Sequence, residues 1–330
     1  MKQIRLQDVA DQAGVSRSTA SRALNSNPRI SEATRLRVIQ AAEDLGYRPD
    51  PVISRWAAGA WKARRSSKSG YEIAFICMDQ KRAEKSKPEK ILAAKQRCHE
   101  LGYRLEVYDF KTLESWKRIN QVLDAKSVPG VLLDTWNLAE LGLDVSRRSL
   151  VCCGVGDEDL PYHTVRLDTF KQMEKVWQKG KSLNRSSVFL WLQEPQESLH
   201  GRLHYGAALE CERRASTGLP IRDVCFGWES TEVLAQRIKV SGADLVISMV
   251  TNQAMEIREL LRGHGWAGDW LVLRTHPGSG FPGMLPHDNL VGIESVNLLD
   301  RHIRDFVVGL PSNPLSVLIT PEWLDERPKV

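Results

Sequence analysis

Leu6-Gln7-Asp8-Val9-Ala10-Asp11-Gln12-Ala13-Gly14-Val15-Ser16-Arg17-Ser18-Thr19-Ala20-Ser21-Arg22-Ala23-Leu24 carries two short helical patterns separated by one glycine. Leu6, Val9, Ala10 and Ala13 recur at spacings of three, four and seven, which places them on one face of a helix. Gly14 then stands where a helix closes with a left-handed residue. Ser16 follows as an N-cap, a hydroxyl able to accept an otherwise orphaned backbone N–H. A second helix over Arg17–Leu24 turns Ala20 and Leu24 inward and leaves Arg17, Ser18, Ser21 and Arg22 outside. Two such helices around a tight turn predict a helix-turn-helix, whose second helix enters the DNA major groove. Small hydroxyls and guanidinium groups suit that environment, because they reach phosphates and base edges. A helical hairpin on an ordinary surface would show the same periodicity.

The charge distribution favours the DNA reading. Across the 330 residues the formal net charge is +5. Residues 1–70 hold 13 Lys+Arg against 6 Asp+Glu, a net of +7, so the remaining residues carry −2. The positive excess therefore sits where phosphates would be neutralised. Downstream, Asn25-Ser26-Asn27-Pro28-Arg29-Ile30 reads as a polar turn and Ser31 as the cap of a third helix. Leu36, Val38, Ile39, Ala41, Ala42 and Leu45 predict a broad apolar face on that helix, which Gly46 ends.

The run Leu-x-Asp-Val-Ala-x-x-Ala-Gly-Val-Ser-x-x-Thr-x-Ser-Arg-x-Leu-Asn, followed by Ser-Glu-x-Thr-Arg and Leu-Gly-Tyr-x-Pro, resembles the headpiece of the lactose/galactose repressor (LacI/GalR) family, nearly without a break from Leu6 to Pro49. The resemblance implies that Arg17, Ser18 and Arg22 read bases. It implies that Ser16, Thr19, Ser21 and Asn25 hold phosphates, with Leu6 also in the DNA-facing set. It further implies a hinge helix on the operator whose apolar wedge enters the minor groove. The wedge position falls at Trp56, with Ile53 as the alternative. The expected organisation is a helix-turn-helix headpiece over 1–48, a hinge helix and basic linker over 49–70, and an effector-binding and dimerisation body over 71–330.

Beyond Tyr71 short apolar runs such as Ile73–Met78, Val131–Leu133 and Leu150–Cys153 alternate with amphipathic helical stretches, a pattern of parallel α/β sheets. The pattern restarts near Phe170. With the resemblance, this implies a two-lobed, periplasmic-binding-protein-like domain, lobe 1 over about 71–160 and 294–330 and lobe 2 over about 161–293. A small-molecule effector between the lobes is implied, with Arg202, Trp228, Asn252 and Asp168 at matching positions. Several polyol-binding positions depart from the family: Gln253 replaces an Asp, Thr169 an Asn, and Leu273-Arg274-Thr275-His276 a Gly-Phe-Asp-Asp run. Polar groups are lost and positive charge is gained, which points to an unusual sugar, an acidic metabolite, or no effector.

Six cysteines (Cys77, Cys98, Cys152, Cys153, Cys211, Cys225) lack CxxC spacing, consistent with buried thiols in a reducing compartment and with no metal cluster. No apolar run reaches the roughly 18 residues of a membrane span, and the N-terminus lacks a signal-peptide core, so a cytoplasmic location is expected. His200 and His204 share a helix face at i, i+4 but lack the Glu and third ligand of a metal site. No nucleophile elbow, P-loop or cofactor fingerprint is present, so neither an enzyme nor a cofactor is expected. The expected function is a sequence-specific regulator, a repressor, working as a homodimer on a pseudo-palindromic operator under small-molecule control. The alternative is a constitutive or protein-controlled regulator with a degenerate pocket; a solute-binding or enzymatic body is more remote.

Overall fold

A computed structural model describes residues 6–24, 30–45, 71–77, 88–134, 142–154, 162–193, 199–214 and 219–325, with backbone only at 199–201. The chain divides into two compact units, Met1–Gly70 and Tyr71–Val330.

In the first unit the described helices are α1 (Leu6–Gln12), α2 (Arg17–Leu24) and α3 (Glu32–Leu45). Gly14 adopts φ +62°, the left-handed conformation expected of the residue that closes α1. The Val15 and Gly14 N–H groups donate to the Ala10 and Asp11 carbonyls, satisfying the helix end. Ser16 Oγ then accepts from the Thr19 N–H at 3.1 Å and caps α2. The core is built of small residues: Val9, Ala10, Ala13, Ala20, Ala23, Val38, Ala41 and Ala42, with Leu6, Leu24 and Leu45 packed around them. Two details differ from the periodic reading. Ala23, rather than Leu24, is the second fully buried residue of α2, because alanines let the three helices approach closely. Leu36 and Ile39 lie outside the core, Leu36 at 61% exposure, since Val38, Ala41, Ala42 and Leu45 already fill the inward arc of α3.

The second unit consists of two six-stranded sheets. The first contains β1 (Tyr71–Cys77), β2 (Tyr103–Asp109), β3 (Gly130–Leu133), β4 (Ser149–Cys153), β5 (His163–Leu167) and β11 (Ser316–Ile319), in the order β11-β5-β4-β3-β1-β2 and wholly parallel. Helices α4 (Pro88–Glu100), α5 (Phe110–Leu113) and α6 (Trp116–Ala125) connect its strands. Alternate residues of β1 enter opposite cores: Ile73, Phe75 and Cys77 on one face, Ala74 and Ile76 on the other. Both faces are thus covered, as parallel sheets require.

The second sheet contains β6 (Val188–Trp191), β7 (Ile221–Cys225), β8 (Leu245–Val250), β9 (Asp269–Arg274), β10 (Gly283–Leu285) and β12 (Glu322–Leu324), in the order β12-β10-β9-β8-β6-β7. Its pairs are parallel except β10–β12. Helices α7 (Thr169–Ser182), α8 (Leu199–Arg214), α9 (Thr231–Ser241) and α10 (Ala254–Gly263) flank it. The return helix α11 (Asp288–Arg304) packs on α4 and on β3, β4 and β5 of the first sheet.

The crossings between lobes fall elsewhere than the sequence suggested. β5 pairs with β4 and β11, so the first lobe extends to Leu167 rather than ending near 160. The return begins at Asp288 rather than near 294. Gly292 is already seated on α4, where a Cβ would lie 2.3 Å from the Lys90 carbonyl oxygen. β12 returns to the second sheet, so the C-terminal stretch serves both lobes.

Candidate nucleic-acid interface and interlobe cleft

The outer surface of α2 follows from its rotation of about 100° per residue. Arg17, Ser21, Ser18 and Arg22 span an arc of about 140°, opposite the buried Ala20 and Ala23. Arg17, Ser18 and Arg22 are exposed, and Ser21 is half-buried at the edge of the arc. Ser16 Oγ lies 2.9 Å from Ser18 Oγ and 2.8 Å from Thr19 Oγ1, so three hydroxyls form one cluster at the N-terminus of α2. Backbone N–H groups and hydroxyls at a helix start make a setting suited to a phosphate. Leu6 contributes differently: it packs against the headpiece core. Its contribution to that core is observed, and its contact with DNA is inferred only from the resemblance. Asn25, Ile53 and Trp56 lie outside the described residues, as does the whole stretch 49–70.

The four expected effector residues sit along the second lobe as follows. Arg202 is exposed on the first turn of α8, which follows β6. Trp228 follows β7, is 55% exposed, and meets Trp191 edge-on at 5.8 Å. Asn252 follows β8, exposed, its carbonyl accepting from Gln193 Nε2 at 3.5 Å. All three lie beyond the C-terminal ends of strands, the edge where open α/β sheets bind ligands. Asp168 lies at the crossover between lobes and caps α7, its Oδ1 accepting the Lys171 N–H at 2.9 Å.

None of the four lines the cavity that the structure forms between the lobes. That cavity is small, about 30 Å³. Its charged and hydrogen-bonding side chains are Lys90, Arg166, Thr169, Gln172, His204, Arg274 and Asp288, beside the apolar Leu167 and Val291. Lys90 is buried at the start of α4, where its Nζ donates to Asp134 and, at 3.0 Å, to the Cys153 carbonyl. Arg274, ending β9, pairs at 3.0 Å with Asp288, which starts α11. Gln172 Nε2 donates to the Leu273 carbonyl, and its Oε1 lies 3.2 Å from His204 Nε2. His204 is thus a buried hydrogen-bonding partner of α7. The side chain of His200 is outside the described residues, and these contain no group of three or more His, Cys, Asp or Glu able to hold a metal. Lys90 and Arg166 escaped the sequence reading; the gain of positive charge at Arg274 was the one visible signal.

Comparisons with known proteins agree with this division. Residues 5–50 match the family model "Bacterial regulatory proteins, lacI family". The HTH-type transcriptional regulator AscG of Escherichia coli strain K12 is 51% identical over 51 residues, 16% of this chain and 15% of that protein. The Escherichia coli sucrose operon repressor is 28% identical over 193 residues, 57% of this chain and 56% of the repressor. The matches therefore span between about a sixth and just over half of these relatives. Among solved structures, the Lac repressor dimer bound to operator and the anti-inducer ONPF superposes with a TM-score of 0.60 at 16% identity, covering 99% of both chains. No described helix is long and apolar enough to cross a membrane. Residues 5–50 thus match the lacI family of bacterial regulatory proteins, and the whole chain shares the fold of the Lac repressor, a helix-turn-helix unit and a two-lobed α/β unit.

Proposed function

We propose that this protein is a sequence-specific transcriptional regulator, a repressor, that binds a pseudo-palindromic operator as a homodimer and responds to a small molecule held between its lobes. The observation that carries the reading is the outer arc of α2, where Arg17, Ser18, Ser21 and Arg22 face outward on a lacI-family helix-turn-helix. Arg17, Ser18 and Arg22 read bases, and the Ser16–Thr19 hydroxyl cluster with Ser21 holds phosphates. Residues 49–70 supply the hinge, with Trp56 or Ile53 as the wedge. Relatives of both parts are DNA-binding regulators by name, which favours a regulatory over a catalytic role.

The test is a footprint of the full-length protein on operator DNA selected from random sequence. Two half-sites about one helical turn apart are expected. Arg22→Ala weakens binding by about 10-fold or more, since a bidentate base contact discriminates by roughly 1–3 kcal/mol. A single asymmetric site, or an Arg22→Ala protein with unchanged affinity, overturns the reading. The small cavity favours a second reading, a regulator with a degenerate pocket that is constitutive or controlled by a protein partner. A thermal shift with a small molecule separates the two, because a cleft ligand stabilises the folded body by mass action.

A further inference from the structure

We propose that the cleft takes an anionic effector, a small metabolite carrying a carboxylate or a phosphate monoester, and that Arg166 is the group that anchors the anion. The inference rests on the regulator reading above and specifies the chemistry of its effector.

Three cations line the cavity: Lys90, Arg166 and Arg274. Two have carboxylates at bonding distance. Lys90 is held by Asp134 and the Cys153 carbonyl, and Arg274 by Asp288. Arg166 is different. Among the described residues its guanidinium makes no hydrogen bond or ion pair. Burial pushes its pKa down, and Asp168 opposes that only as a nearby charge, because the Asp168 carboxylate is engaged in capping α7. Arg166 is the one position of β5 that is not fully buried, beside the lining residue Gly154 and one step from the crossing between lobes. A guanidinium presents five donors, accepts nothing and does not give up its proton, so a half-buried one lacks something only an acceptor can supply. A planar carboxylate or a phosphate matches that fork in two parallel hydrogen bonds.

The size of the cavity sharpens the choice. The space open to the centre of a water-sized sphere is about 30 Å³, two or three times what one water needs. A carboxylate group fits there. A ligand that reaches further competes with the bond between Arg274 and Asp288, the pair that links the end of β9 to the start of α11. An anion replaces the acceptor that Arg274 loses, whereas a neutral polyol breaks a charge pair and returns only hydroxyls. The energetic balance of opening thus discriminates in favour of negative charge.

The test uses the full-length protein and matched probes: glucose, glucuronate and glucose 6-phosphate, with galactose, galacturonate and galactose 6-phosphate. Melting temperature and operator affinity are read together. At least one acid or phosphate ester should raise the melting temperature and change operator affinity, binding at least 10-fold more tightly than its neutral parent. The carboxylate and phosphate arms identify which anion the site takes. Arg166→Gln should weaken that anion at least 10-fold and Arg166→Lys less, with ligand-free melting curves as the check on folding. Neutral parents binding as tightly as their anions, an Arg166→Gln protein that binds the anion like wild type, or a panel with no binder overturns the inference. Failure to bind an operator counts against the regulator reading instead, and operator release by a neutral sugar alone counts against the anion only.

Discussion

Gly292 offers a sharp test of how the cleft is positioned. A Cβ at this residue would lie 2.3 Å from the Lys90 carbonyl oxygen and 3.2 Å from the Ala94 nitrogen, both backbone atoms of α4. Ordinary contact begins about 1 Å farther out than the first of these, so Gly292→Ala forces α11 off α4 by about that much. Overpacking of this kind costs roughly 1–3 kcal/mol, and the better helix propensity of alanine returns about 1 kcal/mol at most. With the full return the net loss is up to about 2 kcal/mol, a fall of up to about 4–8 °C in the melting temperature of a body this size. Gly206 on α8 is the control, because a Cβ there meets nothing within 4 Å. Gly206→Ala should hold or raise the melting temperature, gaining up to about 1 kcal/mol from propensity alone. Differential scanning calorimetry of the two full-length variants decides the matter. If Gly292→Ala melts at or above wild type while Gly206→Ala behaves as expected, the close approach of α11 and α4 is not what holds Lys90 in place.

Lys90→Met should destabilise the body by about 3–5 kcal/mol in urea titrations, because it leaves the mostly buried Asp134 without its counter-charge. Asp134→Asn added to it should recover part of that loss, and a double variant no better than Lys90→Met would show that the pair is not coupled. His163 and His302 pack with ring centroids 4.2 Å apart and planes tilted by 49°, and burial pushes both below the usual 6.5, helped at His163 by the charges of His302 and Arg301 and at His302 by that of Arg301, which Asp305 opposes. The Leu315 N–H donates to His163 Nδ1, which therefore carries no proton. The unfolded chain binds more protons there than the folded one, so their contribution to stability is present above pH 6.5 and lost as pH falls below it. Each histidine costs up to about 1.4 kcal/mol per pH unit in that range. Melting temperatures measured from pH 7.5 to 5.5 should decline, and His302→Gln should flatten the decline; an unchanged slope would refute it.

What was legible in the sequence was local. The turn from Ala13 to Ser16 could be read because Gly14 and Ser16 each answer a need of the adjoining helix end, and the structure shows those same hydrogen bonds. The central strands could be read because Ile73–Cys77 and Leu150–Cys153 are buried on both faces and nearly uninterrupted in hydrophobicity. β5 was not read as a strand because His163, Thr164 and Arg166 break its apolar run; the polar side chains are there for His302, Ser316 and the cleft. β11 and β12 were missed for a related reason: as edge strands they are only partly buried, and their pattern resembles that of a loop.

The cleft resisted the sequence for a different reason. Lys90 sits in Pro88-Glu89-Lys90-Ile91-Leu92, where a lysine on an amphipathic helix is ordinarily solvated. Its burial at 1% exposure is explained by Asp134, 44 residues away, by the Cys153 carbonyl, and by Gly292, which brings α11 close against the α4 backbone at Lys90. Arg166 likewise gains meaning from the Arg274–Asp288 pair, which is more than 100 residues away in the sequence. In the headpiece the binding surface is one face of one helix, so a local pattern suffices to find it. In the body the site is an intersection of α4, β5, α7, α8, β9 and α11, and all of these but β5 contribute a residue held by a partner elsewhere in the fold. The residues marked by the family resemblance and the residues that line the cavity are different sets. Trp228 and Asn252 keep their places on the strand ends, while the charges that line the closed cavity come from residues the resemblance did not mark. The proposed DNA-reading surface is therefore legible in a local pattern, whereas the chemistry of the cavity is set by long-range pairing.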